Sequence, residues 1–213
     1  MILYYSPGAC SLVAHIALEE ADAKFTASRV AIAQGEHQTP DYLKINPHAR
    51  VPALGVNGQI ITEQIAILNF LAQRCHADGS VPLDDPLVAA RSNELLGWCA
   101  STVHIGFAQV WRAERFTTDS AVHPAIQQGG HAALAGFFAE IECLAGEGWT
   151  VGDRFTAADS YFLVFFRWGG RIGTDMGAFP RWAGLARRVA ERPAVLRALA
   201  TEGYTPEDFI AAR

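Results

Sequence analysis

Ile2-Leu3-Tyr4-Tyr5-Ser6-Pro7-Gly8-Ala9-Cys10-Ser11-Leu12 opens the chain and decides how the rest is read. Residues 2–6 combine branched and aromatic side chains and predict a buried strand. Pro7-Gly8 breaks it. From Cys10 or Ser11 a helical pattern begins, with Leu12, His15, Ile16 and Leu18 at helix spacing, and runs to about Ala21. Phe25 to Ile32 reads as a second strand. A β-loop-α-β opening argues for a parallel pair joined by a crossover helix. Cys10 falls between strand end and helix start, where unpaired N–H groups and the helix dipole lower a thiol pKa. The plain alternative is a small residue at a helix start with no reactivity.

Working outward, a polar stretch from Gln34 to Asp41 leads to a short helix over Tyr42 to Ile45, stopped by Asn46-Pro47. Val51-Pro52-Ala53-Leu54 and Gln59-Ile60-Ile61-Thr62 flank Asn57-Gly58, the pattern of a hairpin with a type I′ turn. Pro52 cannot donate to a sheet ladder and so stands at the head of its strand. A helix follows from about Glu63 to Cys75. Its free first-turn N–H groups suit a carboxylate, and the Glu63 side chain suits an ammonium. The order β-α-β-α-β-β-α makes a small α/β domain over residues 1–76.

His76 to Pro86 is polar and punctuated by Gly79, Pro82 and Pro86, which places a linker at 77–86. Residues 87–213 then read as helical throughout. Leu87 to about Glu114 reads as one long helix, His123 to about Ala145 as a second and Ala157 to about Ile172 as a third. Trp182 to Ala190 and Ala194 to Leu199 read as shorter ones. Thr156-Ala157-Ala158-Asp159 resembles a capping box with Asp in the last place, a structural motif that starts the third long helix.

Composition narrows the function. The 213 residues are 50% hydrophobic and 18% charged, which predicts a globular protein. The longest purely apolar run, Phe162 to Phe166, is too short to cross a bilayer, and the N-terminus lacks the basic start of a signal peptide. A net charge of −5 gives no footprint for nucleic acid. Arg181, Arg187, Arg188 and Arg192 fall at helical spacing and read as a solvated face. The four cysteines, Cys10, Cys75, Cys99 and Cys143, lack metal-ligand spacing, so no metal is expected. The last three read as reduced, small core residues.

Ser6-Pro7-Gly8-Ala9-Cys10-Ser11, Ile45-Asn46-Pro47, Val51-Pro52-Ala53-Leu54, Glu63-Gln64-x-Ala66-Ile67-Leu68 and Gly152-Asp153-x-Phe155-Thr156-x-Ala158-Asp159 occur in this order. The ordered set resembles the cytosolic glutathione transferase family over essentially the whole chain. Tyr4 to Leu12 together with Val103-His104-x-Gly106 is similar to its bacterial beta class.

The resemblance implies a thioredoxin-like N-terminal domain and an all-helical C-terminal domain in a cytoplasmic homodimer. It implies transfer of glutathione, as co-substrate, to hydrophobic electrophiles. The Val51 backbone before a cis Pro52 would pair with the cysteinyl part of glutathione, with Ala9 and Gln34 also in the binding set. Glu63 and Gln64, the latter by backbone and side chain, would hold the γ-glutamyl end. Cys10 and His104 would lie at the sulfur, with Ser11 or Tyr5 as thiolate donor. Phe107, Trp111 and Trp168 would line the electrophile site, where Arg112 or Arg115 orients an anionic substrate or is simply solvated. The sequence departs from the family pattern at Gln64 (commonly Ser or small), Ile105 (commonly Lys) and Gly97 (commonly Asn). It also lacks an evident basic residue in Gln34-Gly35-Glu36-His37. Three other uses remain open: a glutathione-dependent disulfide reductase acting through Cys10, glutathione-assisted isomerisation or dehalogenation, and a non-catalytic ligand- or partner-binding protein.

Overall fold

A computed structural model describes residues 1–75 and 80–211. Four strands form one mixed sheet in the order β2-β1-β3-β4. Strand β1 (Ile2–Tyr5) pairs in parallel with β2 (Thr26–Arg29) through the crossover helix α1 (Leu12–Glu20). Its other edge pairs antiparallel with β3 (Ala53–Val56), which turns at Asn57-Gly58 into β4 (Gln59–Thr62). Both turn residues have positive φ, 49° and 80°, as the I′ geometry requires. β2 is shorter than expected because Ile32 N–H turns back to the Val30 carbonyl at 2.9 Å. The short helix lies two residues earlier than expected, at α2 (Pro40–Leu43), since Thr39 caps it through the Tyr42 N–H. Helix α3 (Gln64–Cys75) completes this half. Residues 77–79 of the expected linker lie outside the described residues.

The second half is helical: α4 (Pro86–Trp98), α5 (His104–Trp111), α6 (His123–Leu144), α7 (Ala157–Arg171), α8 (Pro180–Ala190), α9 (Pro193–Glu202) and α10 (Glu207–Ile210). The helix expected over 87–114 is not uniform. A π turn over Cys99–Val103 separates α4 from α5, and the helix ends at Trp111 because Arg112 leaves helical geometry (φ −143°, ψ 50°). α5 and α6 cross closely at Gly130, where a Cβ would come within 2.9 Å of the Gly106 carbonyl.

α7 is the axis of the molecule, with Phe162, Leu163, Val164 and Phe165 fully buried. Its start is fixed by Asp159, whose carboxylate accepts from the Thr156 N–H (2.8 Å), the Thr150 N–H (2.9 Å) and the Thr150 hydroxyl (2.6 Å). Burial raises the pKa of this carboxyl, and the four donated bonds act against the rise.

Several arginines read as solvated are staples instead. Arg192 forms a bidentate pair with Glu20 on α1 (2.6 and 2.9 Å). Arg181 and Arg188 donate to carbonyls of residues 143–148, closing the end of α6. Among the remaining cysteines, Cys99 is buried in the core and Cys75 packs partly against it, but Cys143 is exposed on α6 rather than in the core.

Candidate functional site

The loop between β1 and α1 is clamped from both halves of the molecule. Gly8 has φ +66°, a conformation that favours glycine, and a Cβ there would lie 2.7 Å from Arg167 Nη1. Its N–H donates to Glu202 at 2.8 Å, and its carbonyl accepts from the Trp168 indole at 3.0 Å. The second oxygen of Glu202 meets His15 Nδ1 at 2.9 Å, both side chains being fully buried. Within the loop, Ser11 Oγ accepts from the Ser6 N–H (3.1 Å) and donates to the Ser6 carbonyl (3.2 Å).

On the facing segment, Tyr42 and Asn46 both donate to the Arg50 carbonyl, at 2.7 and 2.8 Å. The Val51–Pro52 bond is cis. Val51 precedes β3, and its N–H has no hydrogen-bond partner among the described residues. Its carbonyl accepts only the Cys10 thiol, at 3.8 Å. A peptide backbone therefore has an unpaired edge to meet here.

Between the halves lies a cleft with two lobes that share Cys10, Arg50, Val51, Ala100 and His104. The smaller, of about 140 Å³, adds Asn46, Pro52, Glu63, Gln64, Ile65 and Tyr161. Glu63 stands at the start of α3 with φ +66°, a left-handed conformation costly for a non-glycine residue, and its side chain is exposed. The larger lobe, of about 300 Å³, is walled by Phe107, Trp111 and Trp168, with Arg112, Arg115 and His37 at its polar side. Phe107 stacks on Trp111 at 5.4 Å, and Trp168 stands edge-on to both.

The structure brings together Ala9, Cys10, Val51, Pro52, Glu63, Gln64, His104, Phe107, Trp111 and Trp168 around this cleft. Four expectations need correction. Tyr5 points to the other side of the sheet, its ring 5.3 Å from His15 in the core. The Ser11 hydroxyl is engaged with the Ser6 backbone, so neither side-chain hydroxyl is directed at the cleft. Gln34 is exposed in a short turn and lines neither lobe. The Gln64 side chain is buried and faces α1; with its amide oriented to satisfy both ends, it donates to the Cys10 carbonyl (3.2 Å) and accepts from the Ala14 N–H (3.0 Å). It completes the first turn of α1, while the residue lines the smaller lobe.

The electrostatics of Cys10 also differ from expectation. Burial pushes its thiol up to about 12, although the N–H groups of Cys10 and Ser11 and the charges of Arg112 and Arg50 act in the opposite sense. Position at the helix start is real, but desolvation wins. His104 is lowered to about 4, first by burial and then by Arg112, Arg115 and Arg50. Its ring centroid lies 5.2 Å from that of Trp168, and it follows directly on the π turn, a feature that often marks functional positions.

Arg50, His37 and Tyr161 were not singled out from sequence. Arg50 adjoins Val51 and could have been found by that neighbourhood, whereas Tyr161 is hidden among the apolar residues of α7. Among the described residues no cluster of His, Cys, Asp and Glu is placed to hold a metal, and no helix is long and apolar enough to cross a membrane.

Comparison with known proteins agrees with this architecture. The family model of the glutathione S-transferase N-terminal domain matches residues 1–73, and that of the C-terminal domain matches residues 113–193. Glutathione S-transferase GstA of Escherichia coli O157:H7 is 34% identical, over 95% of this chain and 99% of its own. A glutathione transferase homologue from Sulfitobacter, solved with bound glutathione, superposes with a TM-score of 0.87 at 32% identity, covering 95% of this chain and 97% of that one. A bacterial beta class enzyme of Sphingomonas chungbukensis gives a TM-score of 0.82 at 33% identity, covering 95% and 99%. The ordered motifs, the two-lobed cleft and these likenesses together establish that the chain belongs to the glutathione S-transferase family.

Proposed function

We propose that this protein transfers glutathione to small apolar electrophiles, with the tripeptide in the smaller lobe and the electrophile in the larger. The observation that carries this reading is the meeting of two lobes of different chemistry at Cys10, Val51 and His104. The Val51 backbone supplies the unpaired edge for the cysteinyl unit. Glu63 takes the γ-glutamyl ammonium, and the first N–H groups of α3 take its carboxylate. Arg50 supplies the cation for the glycyl carboxylate that Gln34 cannot.

Glutathione brings the nucleophilic sulfur. The N–H groups of Cys10 and Ser11 are the donors available to hold it as a thiolate. Lowering a thiol pKa from about 9 to about 7 raises the anion fraction at neutral pH by roughly fiftyfold. His104, neutral above about pH 4, accepts a hydrogen bond at the same junction. The homodimer that the family resemblance implies is part of the same proposal.

A thiol held near 12 is a poor resting nucleophile, which favours transfer over disulfide reduction through Cys10. Steady-state conjugation of 1-chloro-2,4-dinitrobenzene by wild type and Cys10→Ala tests this. Activity within a few-fold in the variant is expected. Loss of activity in Cys10→Ala, with glutathione-dependent disulfide reduction present only in wild type, would overturn it.

A further inference from the structure

The larger lobe combines an aromatic wall with an uncompensated positive rim. Arg112 and Arg115 lie just beyond the C-terminal end of α5, and both line the cavity. No Asp or Glu lines it, and neither arginine makes an ion pair among the described residues. Glu114, between them, is exposed and does not line the lobe. Arg171 adds a third charge behind the wall, its guanidinium 5.6 Å over the Trp111 ring. The repulsion is legible in the neighbours: the fields of Arg112 and Arg115 hold both His37 and His104 below the ordinary imidazole range, secondary to burial. Arg115 is itself lowered by burial and then by Arg50 and Arg112, with the neighbouring Glu114 carboxylate acting in the opposite sense.

Like charges gathered around a cavity that no carboxylate lines are poised for an anion. Arg50 lies at the junction with the smaller lobe and is accounted for by the tripeptide. That leaves Arg112 and Arg115 to the second substrate. At about 300 Å³ the lobe has room for a substituted benzene ring.

We propose that the larger lobe selects aromatic electrophiles carrying a carboxylate, the ring lying against Trp111 and the carboxylate held by Arg112 and Arg115. This rests on the transferase reading for its chemistry, though not for binding. With a halogenated nitrobenzoate the reaction is a substitution: the glutathione sulfur forms the carbon–sulfur bond, the carbon–halogen bond breaks and halide leaves. The thiol proton passes to solvent.

The test uses calorimetric titration of the intact protein with 3-nitrobenzoate and with its uncharged isostere 3-nitrobenzamide. Conjugation of 4-chloro-3-nitrobenzoate and 4-chloro-3-nitrobenzamide is measured alongside, each normalised to its uncatalysed rate with glutathione. The carboxylate should bind about tenfold or more tightly than the amide, as a charge-assisted pair requires. That preference should fall to near unity in Arg112→Gln/Arg115→Gln and shrink with added salt. Equal binding of both probes, binding of neither, or a preference that survives the double variant with its melting temperature intact would overturn the proposal. Carboxylate preference without conjugation of either chlorinated probe would remove the transferase reading and leave the subsite standing. Conjugation without carboxylate preference would do the reverse.

Discussion

At the residue scale, side-chain direction decides which of the expected groups reach the sulfur. The resemblance to the family, more than residue types or spacing, placed Cys10, Val51, Glu63 and His104 near one another. Neither could tell Tyr4 from Tyr5, because alternation along β1 turns Leu3 and Tyr5 to α1 and the core while Tyr4 faces Tyr42. Ser11 and Gln64 were misread for a related reason: each satisfies backbone groups of its own neighbourhood, which a motif does not reveal. The Cys10 thiol yields a direct prediction. With its pKa near 12, about one part in ten thousand is thiolate at pH 8. Iodoacetamide labelling of the Cys10 peptide in the free protein, followed by mass spectrometry, should rise about tenfold per pH unit from 7 to 10 without a plateau. A plateau near pH 7 would show that helix-terminal stabilisation dominates after all.

At the element scale, the parallel pair with its crossover helix, the hairpin at Asn57-Gly58 and the start of α7 were legible, because each rests on short-range patterning, turn or cap chemistry. The division of the helix expected over 87–114 was not. No proline or glycine marks the π turn at Cys99–Val103, and the exit at Arg112 follows from tertiary packing of α5 on α6. Nor did sequence show that α9 reaches across the molecule to hold the β1–α1 loop through Glu202. Removing that carboxylate leaves the Gly8 N–H and His15 buried without their partner. Glu202→Ala should therefore cost ~3 kcal/mol or more in urea unfolding. Glu202→Gln, which keeps an oxygen for one of the two, should lose less. Wild-type stability in the alanine variant would mean that the clamp contributes nothing.

At the scale of the whole molecule, the cleft exists only because the two halves meet, which is why Arg50, His37 and Tyr161 were invisible as a group. Gathering cations and a buried histidine there has a pH signature. His104 has a folded-state pKa of about 4 against 6.5 for a free imidazole, so between these values the unfolded chain binds more protons. Its contribution is fully present above pH 6.5 and is lost as pH falls toward 4, amounting to about 3 kcal/mol over that window. Unfolding free energy measured at pH 7 and 4.5 should fall less in His104→Gln than in wild type. An identical decline in both would show that the imidazole is free to protonate in the folded protein.

In the proposed transferase the smaller lobe holds glutathione through Val51, Glu63 and the start of α3. Calorimetric titration of glutathione into wild type, Cys10→Ala and Glu63→Ala tests this. Binding in wild type should persist in Cys10→Ala and drop by about tenfold or more in Glu63→Ala, where the ammonium loses its partner. No binding to wild type, or equal binding to all three proteins, would contradict it.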